Sequence, residues 1–120
     1  MIVNMNGGGK GASYDANVTV SSDASSISFS VAKEPKSWAV MFSPSLGATL
    51  SAFGSNKYIM AYLKNDEYSG GIVATSSALS ISSTITATYS SGTFTLTASG
   101  GEKFRGISDN SAKYRLMYAY

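Results

Sequence analysis

The stretch "NGGGKGAS", Asn6 to Ser13, holds the residue types that cradle a phosphate. Glycines let backbone amides turn toward the anion, a lysine reaches the outer phosphates, and a hydroxyl holds magnesium, in the order G-x-x-x-x-G-K-[ST]. Setting Gly9-Lys10 as the Gly-Lys pair puts Asn4 where the first glycine belongs and Gly11 where the hydroxyl belongs. Such a loop must also open a helix, so that the helix N-terminus meets the phosphate. The residues that follow, "YDANVTVSSD", read as strand. The segment 6–13 is therefore expected to be a flexible connection, or glycines that let backbones approach closely.

The carboxylates are Asp15, Asp23, Glu34, Asp66, Glu67, Glu102 and Asp109. Glycoside hydrolysis needs two of them facing each other across a cleft. Asp66 and Glu67 are adjacent in "KNDEYSGG", where neighbouring side chains diverge, and turns favour acids for their own reasons. "NDEYSG" and "SDNSAK" supply calcium-type oxygens without the spacing of a calcium loop. The chain has no histidine and no cysteine. That removes the commonest general base, the commonest metal ligand and any disulfide. The expectation is a protein without enzyme activity, cofactor or metal.

Tyrosine is the remaining chemistry. It joins a stiff apolar body to a wet hydroxyl, which suits contact surfaces and sugar platforms. Tyr58, Tyr62, Tyr114, Tyr118 and Tyr120 are the candidates for such a surface. Their alternate spacing is explained equally by core and sheet packing. Trp38, in the middle of a strand pattern, is expected in the core.

The elements that position these residues follow a period of two. "ISFSVA" sets Ile27, Phe29 and Val31 on one face against serines. "SWAVMF" sets Trp38, Val40 and Phe42 against Ala39 and Met41, so both faces are apolar and the strand is expected to be central. "YIMAYL" sets Ile59, Ala61 and Leu63 against Tyr58, Met60 and Tyr62. "TITATY" and "TFTLTA" flank Ser90-Ser91-Gly92, which predicts a tight hairpin over 84–98. "KYRLMYAY" sets Tyr114, Leu116, Tyr118 and Tyr120 against Arg115, Met117 and Ala119. Shorter strands are expected at "IVNM", "NVTV", "GIVATS" and "LSIS". Only "SPSLGATLSAFGSNK" is ambiguous, and its glycines argue for a loop. The pattern predicts one all-β domain over 1–120, an antiparallel sandwich or barrel of jelly-roll or immunoglobulin-like type, with about eight strands and little helix.

The 120 residues suffice for one core, and a formal charge of +2 with scattered cations argues against nucleic acid. No apolar run is long enough for a membrane helix, and the N-terminal residues lack the pattern of a signal peptide. Only 13% of residues are charged, and serine, threonine, glycine and tyrosine abound. Such a surface is commoner in extracellular β-proteins than in intracellular enzymes.

"ISFSVAKEPKSWAVMFSP" pairs a serine-rich strand with a turn into a second strand. "YSSGTFTLTASGGEKFRGISDNSAKYRLMYAY" adds a hairpin, a glycine-rich excursion and a tyrosine strand. In this texture residues 25–120 resemble small β-structured virion proteins of bacteriophages, of tail, appendage or capsid-surface type. The resemblance implies a non-enzymatic structural or binding role in a tail, baseplate, fibre or capsid decoration. It implies other virion proteins as partners, and a virion location after synthesis in the host cytoplasm. Assembly as a homo-oligomer is expected, with a trimer favoured, because a terminal strand apolar on both faces must be covered. Contact is expected through the C-terminal strand and the loops at 44–57 and 100–112. The alternative is a carbohydrate-binding or adhesin module of a bacterial surface, which would hold a glycan on the same tyrosines.

Overall fold

A computed structural model describes residues 13–43, 56–75, 78–82, 84–108 and 112–120. Residues 1–12 and 44–55, and with them the "IVNM" strand and nearly all of the phosphate-like loop and of the ambiguous stretch, lie outside the described residues.

The described residues form strands and no helix. The strands are β1 (Tyr14–Thr19), β2 (Ser26–Ser30), β3 (Ser37–Phe42), β4 (Tyr58–Lys64), β5 (Ser69–Ala74), β6 (Leu79–Ser82), β7 (Ile85–Ser90), β8 (Thr93–Ala98) and β9 (Lys113–Ala119). They build a six-stranded sheet in the order β1-β9-β3-β4-β5-β6 and a three-stranded sheet in the order β2-β8-β7. Every strand pair is antiparallel. The fold is an all-β sandwich with sheets of unequal width.

Alternation fills the space between the sheets, as the pleat requires. Ile27, Phe29, Phe94, Leu96 and Ile85 come from the smaller sheet; Trp38, Val40, Leu116, Tyr114 and Val73 come from the larger. Threonines on the far face of β7 and β8 stay wet, and Ser28 Oγ lies 2.9 Å from Thr95 Oγ1 across β2 and β8. The β7–β8 turn carries φ of 48° at Ser91 and 88° at Gly92. Two consecutive positive values are what a tight hairpin turn matched to strand twist needs.

Three details position the rest. β9 lies between β1 and β3, so the strand that is apolar on both faces is flanked on both edges. β4 breaks the alternation expected for "YIMAYL". Its pairing with β5 shifts between Ile59 and Ala61, leaving Met60 as an extra residue. The bulge changes phase, so Ile59 and Tyr62 both enter the core while Ala61 and Leu63 turn outward. Finally, the segment after β8 returns along one end of the sandwich. Phe104 bridges to Ala24, Ile59 N–H donates to Lys103 C=O, and Ile107 N–H donates to Val20 C=O.

Tyr114 locks that end. It is fully buried, and its hydroxyl accepts from Arg105 N–H at 2.7 Å and donates to Ile59 C=O at 3.0 Å. Burial is the main cause that raises its pKa well above the usual 10.0. Burial, then a 2.6 Å hydrogen bond donated to Asp23, raises Tyr58 as well. A phenol held neutral by folding gives stability that is complete below the unfolded value near 10.0 and is lost as pH rises above it. Thermal stability is therefore expected to fall from about pH 10 upward, with a limiting slope of about 1.4 kcal/mol per pH unit for each such phenol. Tyr114→Phe is expected to lower stability by about 1–3 kcal/mol at neutral pH, since it removes a hydroxyl that bonds two backbone groups at a buried position. It is also expected to flatten the alkaline fall, as melts between pH 8 and 12 would show.

Candidate functional site

The structure corrects the expected tyrosine surface. Tyr58, Tyr62, Tyr114 and Tyr118 are all buried, and only Tyr120 of the five is partly open. Tyr62 stacks on Trp38 with centroids 5.6 Å apart, and its hydroxyl lies 2.7 Å from Ser69 Oγ. Tyr114 packs edge-on against Phe104 at 5.3 Å. Tyr58 is held from three sides by Asp23, Asn56 and the Arg105 guanidinium, the last 5.1 Å from its ring. Each of these rings lies at an alternate position that faces the core or an end of it, and each hydroxyl of Tyr58, Tyr62 and Tyr114 reaches a partner there, so these side chains hold the fold together.

Tyr118 and Tyr120 belong to a second aromatic group with Tyr14, which sequence reasoning passed over. Tyr14 sits opposite Tyr118 on β1, and its ring lies 5.5 Å from Tyr118 and 5.0 Å from Tyr120. Tyr14 is 41% exposed, and the Lys33 ammonium lies 4.7 Å over the Tyr120 ring. Burial, followed by the Tyr120 hydrogen bond, raises the pKa of Tyr118.

The open apolar surface lies elsewhere, on the outer face of the six-stranded sheet. Trp38 and Val40 point inward, so Ala39 and Met41 point out. The register places Ala39 beside Leu63 and Met117, and Met41 beside Ala61 and Arg115. On the next strand Ile72 pairs with Ala61, and Gly70 pairs with Leu63. Tyr68 folds over Gly70, where a Cβ would come within 2.8 Å of its hydroxyl oxygen. Buried Ala39, Met41, Ala61, Leu63, Tyr68, Gly70 and Ile72 line a shallow depression of about 280 Å³. Met41 is 42%, Ile72 41% and Tyr68 52% exposed.

No protein family, curated protein or solved structure matches the chain.

Charges frame the depression asymmetrically. Lys113 and Arg115 share the outer face of β9 with Met117, both exposed. Arg115 is joined to Asp15 of β1 at 3.0 Å. At the diagonally opposite corner the β4–β5 turn exposes Asp66 and Glu67. Asn65 shapes that turn, with its Oδ1 accepting from Glu67 N–H and Tyr68 N–H at 2.8 Å each. The two acids are thus turn residues on a side-chain-capped loop. Among the described residues no three Asp or Glu side chains gather where a metal could bind.

The loops expected to make contact lie only partly in view. Residues 44–55 and 109–111 are outside the described residues, while 103–107 are bound into the end of the sandwich. The signal for the outer face was present in "SWAVMF" and "YIMAYL", which are apolar on both sides. The core expectation for Trp38 picks the inner side of "SWAVMF", whereas sequence alone assigns neither side of "YIMAYL" to the core.

Proposed function

We propose that this chain is a non-enzymatic structural and binding protein that works by surface contact within a larger assembly. The observation that carries this is the apolar depression around Met41, Leu63, Tyr68 and Ile72. Grouped exposed apolar residues on a charge-poor surface mark a place that another protein covers. The finer reading is a bacteriophage particle protein of a tail, baseplate, fibre or capsid surface, located in the virion and bound to itself and to other virion proteins. That reading is supported by the hydroxyl-rich, low-charge sequence and its likeness in texture to such proteins. In this role complementarity of shape does the work and no bond is made or broken.

Light scattering on the purified protein tests the contact. The wild type is expected to show a mass above that of the 12.5 kDa chain at high concentration. Met41→Asp and Ile72→Asp are expected to return it to the single chain, because each places a charge where apolar area must be buried. A single-chain mass in the wild type, unchanged in both variants, would refute the reading.

The aromatic group at Tyr14 favours a second reading, a carbohydrate-binding module. The exposed Tyr14 ring, backed by the buried Tyr118 and beside the half-buried Tyr120, offers an apolar face to sugar C–H groups. On a glycan array this reading expects binding at millimolar concentration or tighter, reduced at least tenfold by Tyr14→Ala. An array on which the wild type binds nothing removes it.

A further inference from the structure

We propose that the occupant of the outer face is a second copy of this chain, packed face to face about a two-fold axis. This rests on the reading of that face as a contact surface and adds what covers it.

The argument is the placement of charge around the depression. β9, β3, β4 and β5 are successive strands of one sheet. Lys113 stands on β9 at the end where Ser43 N–H bonds Lys113 C=O. Asp66 and Glu67 stand beyond the opposite end, where Lys64 pairs with Ser69. A line from the acids to Lys113 therefore crosses the sheet diagonally and passes over Ala39, Met41, Ala61 and Leu63. A two-fold axis lying in the interface, at right angles to that line, superposes the apolar centre of one copy on that of the other. It also lays the acidic turn of each copy on the basic strand of its partner. One surface thus supplies both halves of the match, which is the condition for an isologous contact. Arg115 adds less than Lys113, because Asp15 already neutralises it.

Apolar burial at the centre supplies attraction, and the paired corners fix orientation. The exposed corner charges are individually weak. Each occurs twice in a two-fold pair, so one substitution acts twice. The face is small beside the area of permanent dimers, so pairing is expected at about micromolar concentration.

Two charge-reversed proteins test this: Asp66→Lys with Glu67→Lys in one, and Lys113→Glu in the other. All three side chains are exposed, so the fold is expected to persist, which far-ultraviolet circular dichroism checks. The wild type is expected to reach twice the chain mass in light scattering. Each reversed protein alone is expected to pair on the order of tenfold more weakly, since like charges meet at both corners. Mixed in equal amounts, the two are expected to regain wild-type pairing, because each acidic corner again meets a basic one. Three chains per particle, or a mixture that pairs no better than its components, overturns the two-fold contact. If Ile72→Asp still abolishes association in that case, the face remains a contact surface with a different occupant. A wild type that never associates overturns both.

Discussion

Trp38→Ala is expected to lose about 3–5 kcal/mol of folding stability, the range for deleting a large buried aromatic. Trp38 is 2% exposed and touches both sheets. It stacks on Tyr62 of β4 and meets Phe94 of β8 edge-on at 5.7 Å and 76°. The substitution removes apolar burial and leaves a cavity that neither sheet can close without moving its backbone. Against a total of roughly 5–15 kcal/mol for a domain, this is a third or more of the stability. Trp38→Phe keeps a ring at the joint and is expected to lose clearly less. Urea unfolding, with slope and midpoint both fitted, measures the difference. A loss below about 1 kcal/mol for Trp38→Ala would show that the two sheets do not depend on this contact.

Gly71→Ala is expected to be nearly as damaging, for a different reason. A Cβ at Gly71 would collide with the Ala61 carbonyl oxygen and stand 2.7 Å from Tyr62 Cα. Both obstacles are backbone, so no rotamer change relieves them. Gly71 sits beside the Met60 bulge, where β4 has already bent toward β5. Adding a methyl group forces these strands apart, at about 2–4 kcal/mol. Gly101→Ala provides the contrast. Its Cβ meets nothing within 4 Å, and only its φ of +80° resists substitution. About 1–2 kcal/mol is expected there. Amide exchange is expected to speed up in β4 and β5 for Gly71→Ala and to change only near the turn for Gly101→Ala. Equal effects of the two substitutions would remove the close-approach argument.

The strands and the hairpin were legible because the pleat writes itself into sequence as alternation. Phe94, Leu96 and Ile85 lie inside as their spacing requires. Ser91-Gly92 announces its turn by conformational need alone. The phase change at Met60 was not legible, because an inserted residue leaves "YIMAYL" looking like regular alternation. For the same reason Tyr62 and Leu63 could not be told apart as core and surface. The tyrosines were ambiguous for a chemical reason. A tyrosine with its hydroxyl satisfied inside reads the same as one facing water, and Tyr114 and Tyr58 find their partners far away in the chain. The outer apolar face was only half legible: Trp38 marks the inner side of β3, but the bulge at Met60 hides which side of β4 faces out. Asp66 and Glu67 were readable as turn acids from their neighbours, but their diagonal relation to Lys113 exists only once the six strands are in order.

The position of β9 also bears on how the protein is made. Tyr14 pairs with Tyr118, and Ser37 with Ala119, so the last described strand is the wedge that joins the first strand to the third. While the ribosome is still adding residues 113–119, β1 and β3 each lack a neighbour, and their amides stay open to any other extended chain. The meander from β3 to β6 and the β7–β8 hairpin can form as they emerge, since their partners are adjacent in sequence. The join cannot. Closure of the larger sheet thus waits for residues 113–119, and until they pair, β1 and β3 each keep an unmatched edge on the side that β9 fills.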